Sequence, residues 1–316
     1  MVRDYLEQLR NFHKNNSGSV YALLGYYHLA MQRQVFRRKN VILPTLILAG
    51  DIATGKSSII KQMFSILPHV YTGGEFSRNF DNSATVHSIQ ARLVKDGTPL
   101  VMDPPPIPHQ KTDLSDTIDM IYEGKLRDSY QKKNSPLPLS SLILVVQHDY
   151  RNLSSFTDTA LSKSLILFHE AHEDVDDHAT LLDDIDQQIL EQSQFFSSIF
   201  RYLIRPVDIV FLQQTANAVN KQFVEGIIKD AKKNPRDIHH YTRNVKSAAL
   251  VVAGFKCFLT AVGFEENERD DYVTFLTDFL FKRSILPTIV ALDLGEKERS
   301  KIDSVLDDSS IVTEGN

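Results

Sequence analysis

The stretch 43-LPTLILAGDIATGKSSIIKQMF-64 sets an apolar run against a turn and then a helix-like pattern. Within it, Gly50-Asp51-Ile52-Ala53-Thr54-Gly55-Lys56-Ser57 fits G-x-x-x-x-G-K-[ST]. Glycines let a backbone curl until several N–H groups face one point, and the helix that follows adds its positive end. In such a loop Lys56 reaches the β- and γ-phosphates of a nucleotide, and Ser57, with Ser58 beside it, ligates Mg²⁺. The motif demands a strand before it and a helix after it, and the pattern supplies both. The bland alternative is a glycine turn that binds nothing.

Working outward, the 316 residues suffice for one large domain or two ordinary ones, and a hydrophobic content of 42% supports a core. A single cysteine, Cys257, excludes a disulfide framework and fits a reducing compartment. The first residues, MVRDYLEQLRNFHKNN, are too polar for a secretory signal. The longest apolar stretch, 248-AALVVAGFKCFLTAVGF-264, is too short to span a membrane and carries Lys256 at its middle. The expectation is an intracellular protein, cytoplasmic or nuclear, with no membrane partner. Net charge is −5, unevenly placed: residues 164–200 hold nine acids and no Lys or Arg, leaving 35 basic against 31 acidic residues elsewhere. Overall acidity therefore does not exclude a locally basic nucleic-acid surface.

The pattern divides the chain into four. Residues 1–43 form an N-terminal helical segment, with Asn16-Ser17-Gly18-Ser19 breaking two halves and supplying a helix cap. Residues 44–170 form the core, with strands at Thr45–Ala49, Leu100–Met102, Leu142–Val146 and Leu165–Phe168 and helices at 56–67, 84–95 and 113–123. Buried apolar strands alternating with helices predict an α/β layer with a mostly parallel sheet. Residues 171–302 read as an all-helical domain with turns at Arg205-Pro206, Asn234-Pro235 and Gly263, and 303–316 as a polar tail.

Hydrolysis at such a loop needs an acid at a neighbouring strand end. Leu100-Val101-Met102 runs into Asp103, which can hold the metal's water; the next residue, where a base would serve, is Pro104. Glu75 is a stand-in base or a solvated loop residue. The strand Leu142–Val146 ends in Gln147-His148, and Gln147 is the better candidate to meet the γ-phosphate or the lytic water. The cluster His169-Glu170-Ala171-His172-Glu173-Asp174, with His178, has metal-ligand types but reads as a solvated linker. The basic run 32–39 either touches phosphates or satisfies a helix dipole.

Taken together, these residues resemble the ATPase core of superfamily 3 helicases and their AAA+-like relatives, including the helicase modules that accompany primases in mobile elements. The resemblance spans residues 20–170, with a weaker echo to 265. It implies a P-loop NTPase core binding ATP and Mg²⁺, with Ser57 and Asp103 at the metal, Gln147 as sensor, and a homo-oligomer in which one subunit completes its neighbour's site. It also implies nucleic-acid binding, to DNA first, through hairpin lysines that map onto Lys132 or Lys133. Three positions depart from the family: Pro104 follows Asp103 in place of a second acid, Gln147 replaces an Asn, and Lys163 holds the slot of the trans-acting arginine, for which Arg151 is the substitute. Lysine is a point charge and not a planar fork, so it serves a transition state less well. The echo in the helical part places a nucleotide-sensing role, or merely a surface arginine, at Arg243.

The leading expectation is an ATP-driven nucleic-acid motor with weakened hydrolysis. A small-molecule or nucleoside kinase is the alternative, with 125–133 as its phosphate-closing lid, and a non-hydrolysing nucleotide switch is a third.

Overall fold

The computed structural model describes residues 2–39, 41–51, 54–56, 59–60, 99–102, 111–123, 141–147, 156–170, 199, 201–230 and 237–293. Strand β1 (Thr45–Gly50) is buried along its whole length. It pairs in parallel with β3 (Leu142–Gln147) on one side and β4 (Ser164–His169) on the other, and β2 (Leu100–Met102) pairs in parallel with β3. The order is β2-β3-β1-β4. All four strands lie within a residue of where the apolar runs placed them. A strand buried on both faces must be apolar at every position, which is why these segments read as continuous runs.

Alternate residues divide the two faces, as a two-residue repeat dictates. Ile47, Ala49, Leu144, Ile166 and Phe168 pack on helix α4 (Lys111–Glu123) and the short α5 (Asp158–Ser162), through Ile118, Ile121, Ala160 and Leu161. Leu46, Leu48, Ile143, Leu165 and Leu167 face the other way, into a much larger core. That core is built from both ends of the chain. From the N-terminal side come α1 (Val2–His13) and α2 (Ser17–Ala30), with the short α3 (Arg33–Arg38). From the C-terminal side come α6 (Ile209–Asp230), α7 (Thr242–Val262), α8 (Glu266–Leu280), a π-helical turn (Phe281–Ile285) and α9 (Leu286–Asp293). One hydrophobic cluster runs through both sets and the sheet face beneath them.

Helix α2 is the centre of this layer, and all fourteen of its residues are buried. The sequence predicted a helical segment here; the structure buries every face of it because α1, α7 and α8 surround it. It crosses α7 at glycines. A Cβ on Gly25 would lie 2.4 Å from the Val251 carbonyl oxygen, and one on Gly254 would lie 2.7 Å from the Gly25 carbonyl oxygen. Above and below the crossing, Tyr21 stacks on Phe255 at 5.2 Å between ring centres. Two buried tyrosine hydroxyls are satisfied by carbonyls, Tyr21 donating to Leu6 and Tyr26 to Pro44.

Helix α7 is 21 residues long and apolar enough to cross a membrane, longer than the sequence reading of 248–264 allowed, because the helix begins at Thr242. Here 72% of its most apolar stretch is covered by the protein itself. Lys256 within it pairs with Asp270 at 2.7 Å. Asn244, near its start, donates to the carbonyls of Leu161 and Ser164 and so ties α7 to the beginning of β4.

Candidate functional site

The register of the sheet brings three strand ends to one line: Gly50 lies level with Gln147 of β3 and with His169 of β4. The carboxyl rim of a parallel sheet is where ligands bind in open α/β folds. The loop that leaves β1 starts at the middle of this rim. Gly50 has φ +150°, and a Cβ there would stand 2.6 Å from the His169 carbonyl oxygen. Gly55 has φ +80°. Both positions call for glycine, the first by close approach and the second by its left-handed backbone.

Lys56 opens the following helix and turns back into the loop. Its side chain is buried, and Nζ donates to the carbonyl of Gly50 at 2.8 Å, the carbonyl of Asp51 at 2.5 Å and the Thr54 hydroxyl oxygen at 2.9 Å. The Thr54 hydroxyl in turn donates to the Asp51 carbonyl at 3.0 Å. The loop is thus curled around one ammonium, a built positive centre at the rim of the sheet.

Two other parts of the chain reach this rim. Asn16, at the joint between α1 and α2, donates through Nδ2 to the Glu170 carbonyl at 3.0 Å and to the Thr54 carbonyl at 3.5 Å, while its Oδ1 accepts from the Glu170 N–H at 3.1 Å. The Glu170 carboxylate forms an ion pair with Arg283 of the π-helical turn. Asn16 was expected to cap α2. It occupies the capping position, but its side chain makes no capping bond, because the amide is consumed by the loop and by the end of β4. Neither Asn16 nor Arg283 carries a local signal of such a role. Each is an ordinary polar residue in the sequence, and only the packing of distant helices on the sheet brings it here.

Of the residues singled out from the sequence, the structure gathers Gly50, Asp51, Thr54, Gly55 and Lys56 into the loop and ends β3 at Gln147, beside it. Ile52, Ala53, Ser57, Ser58, Glu75, Asp103, Pro104, Lys132, Lys133, His148 and Arg151 lie outside the described residues. Lys163 stands at the other end of β4, about 16 Å along the strand from the rim. It is buried within its own chain, paired with Asp119 at 3.0 Å and Glu123 at 2.8 Å, both on α4. Burial alone would push its ammonium pKa down, but the hydrogen bonds and charges of Glu123 and Asp119 outweigh that and hold it above the usual lysine range. A role across a subunit boundary would require both pairs to open.

Arg243 is at that same distant end, exposed, its guanidinium 6.0 Å from the centre of the Tyr122 ring. It lies away from the loop of its own chain; among the described residues of the helical part, Arg283 faces this rim through its ion pair with Glu170. In the basic run, Arg33 is buried and donates to the Ile121 carbonyl at 2.6 Å, so it packs α3 and does not present a free charge. His169 is a buried strand end and Glu170 an ion-pair partner; the remainder of that cluster lies outside the described residues, among which no group of three metal-ligating side chains assembles.

The chain is similar in fold to a solved structure of the SCCmec type IV Cch protein, described as an active helicase, with a TM-score of 0.53 and 13% sequence identity. The likeness covers 95% of this chain and 54% of the other, so the chain spans about half the length of that protein. No protein-family model matches the sequence. No curated protein matches it either. At this identity the likeness is one of fold: a small parallel sheet with helices on both faces.

Proposed function

We propose that this chain is the nucleotide-driven part of a helicase-like motor acting on nucleic acid. One observation carries the reading. The string Gly50–Ser57 leaves the central strand of a parallel sheet at its carboxyl rim, and the described part of the loop is curled around the Lys56 ammonium. The helicase whose fold this chain shares supports the choice of a motor over other nucleotide-binding classes.

The loop fits a polyphosphate. Lys56 now spends its donors on two neutral carbonyls and a hydroxyl; a phosphate oxygen is a charged acceptor and makes shorter, stronger bonds to the same ammonium. The Gly55 N–H and the amides that open the next helix add neutral donors. In this reading the bound species is ATP with Mg²⁺, which supplies the phosphoanhydride and the charge neutralisation. Ser57 and Asp103 hold the metal, and Gln147, level with Gly50, orients the attacking water. Pro104 offers neither carboxylate nor N–H after Asp103, so hydrolysis is slow, below the usual enzyme range of about 1–10³ per second. Lys132 and Lys133 grip DNA, the working state is an oligomer of this chain, and its location is intracellular.

The test is steady-state phosphate release with and without single-stranded DNA, alongside ATP binding by calorimetry, for the wild type and Lys56→Ala. DNA-stimulated release that Lys56→Ala abolishes is the expected result. ATP affinity unchanged by Lys56→Ala would sink the loop assignment, and ATP binding with no response to DNA would turn the reading toward a kinase or a switch.

A further inference from the structure

We infer that Asn16 is a positioning residue of the phosphate loop, and that through it the N-terminal helices set how well the loop receives an anion. The inference rests on the nucleotide reading above, and deepens it. The geometry has two parts. First, β1 leaves the sheet at Gly50, so its pairing with β4 stops at His169. The next residue, Glu170, has a backbone N–H and carbonyl with no strand opposite them. Asn16 takes both, accepting from the N–H at 3.1 Å and donating to the carbonyl at 3.0 Å. A side-chain amide has the same donor and acceptor as a peptide unit, so Asn16 continues the ladder for one residue where the strand has curled away.

Second, the remaining Nδ2 hydrogen points at the Thr54 carbonyl, 3.5 Å away. A trans peptide is planar, and its carbonyl and the next residue's N–H point in opposite directions. Holding the Thr54 carbonyl from outside therefore turns the Gly55 N–H toward the interior of the curl, where the Lys56 ammonium lies. Gly55, at φ +80° and without a Cβ, has no steric preference of its own to fix that peptide plane. Asn16 supplies the constraint. It is itself buried, 1% exposed at the joint between α1 and α2.

Three consequences separate this from a residue that only fills space. Asn16→Ala removes both clips. Asn16→Asp keeps the shape and the acceptor for the Glu170 N–H, but it turns a donor into an anion facing the Thr54 carbonyl and the phosphate position. The affinity for a non-hydrolysable ATP analogue with Mg²⁺ should therefore fall about tenfold in Asn16→Ala and further in Asn16→Asp. Both variants should also melt lower, Asn16→Asp because it buries an anion against two carbonyl oxygens. Lys56→Ala is run beside them as the control for the nucleotide reading.

Hydrogen exchange in the protein without nucleotide gives a readout that needs no ligand: the amide of Glu170 should be protected in the wild type and in Asn16→Asp, which keeps its acceptor, and lose protection in Asn16→Ala. If Asn16→Ala does not fold, Asn16→Asp carries the affinity measurement. Wild-type affinity in Asn16→Asp, or Glu170 exchange unchanged in Asn16→Ala, would overturn the inference and leave the nucleotide reading standing. A wild type that binds no analogue while exchange still depends on Asn16 would overturn the nucleotide reading and uphold the clip.

Discussion

His28 is buried in α2, with Nδ1–H donating to the Leu203 carbonyl at 2.9 Å. Burial pulls its pKa down to about 4, opposed by that hydrogen bond. The folded ring stays neutral where an unfolded one, near 6.5, takes a proton, so the unfolded state binds more protons between these values and stability falls as pH drops through them. The loss should reach up to about 3 kcal/mol at pH 4. Urea denaturation at pH 7 and pH 4.5 measures it, and His28→Gln should flatten the difference; an equal slope in that variant would place the acid sensitivity elsewhere. Lys163 gives an asymmetric expectation. Asp119 and Glu123 are partly exposed, so each pair is worth little on its own, and Lys163→Met should cost less than about 1 kcal/mol. Neutralising both acids, Asp119→Asn with Glu123→Gln, strands a cation that is only 5% exposed and should cost about 2 kcal/mol. Equal losses in the two experiments would mean that packing and not charge decides this site.

The crossing of α2 on α7 brings backbone against backbone. At Gly25 the two nearest atoms a methyl would meet are backbone, Val251 O and Phe255 N, which cannot rotate away; at Gly254 they are the Leu29 side chain and the Gly25 carbonyl oxygen. Gly25→Ala should therefore destabilise by about 3 kcal/mol, toward the upper end for overpacking, despite alanine's better helix propensity. Thermal unfolding checks it, and a stabilised Gly25→Ala would show that the helices part at little cost. This joint also shows how far the sequence can be read. Strands β1, β3 and β4 were legible because burial on both faces leaves a run that needs no knowledge of the partners. The loop was legible because glycine and lysine at fixed spacing are demanded by local geometry. Helix α2 was legible as a helix, but not its burial on every face, because Ser19, Tyr21, Tyr26 and His28 are covered only when α7, far along the chain, is packed on it. Asn16 and Arg283 were missed for the same reason: an amide or a guanidinium acquires its meaning from what lies across the fold.

At the scale of the whole molecule, the N-terminal helices, one face of the sheet and the C-terminal helices share a single hydrophobic core. The two ends of the chain should therefore unfold together with that face. Hydrogen exchange should show α2 and α7 losing protection at the same denaturant concentration, and separate transitions would mean that the helical layer is two units. The shared core also has a consequence for how the protein is made. Helix α2, buried on every side in the finished fold, leaves the ribosome roughly 210 residues before α7, which closes over it. At about 5–20 residues per second that is a delay on the order of 10–40 s. During it the nascent chain carries a helix still uncovered on the face that α7 closes, so cell-free synthesis should yield more folded protein when a chaperone is added.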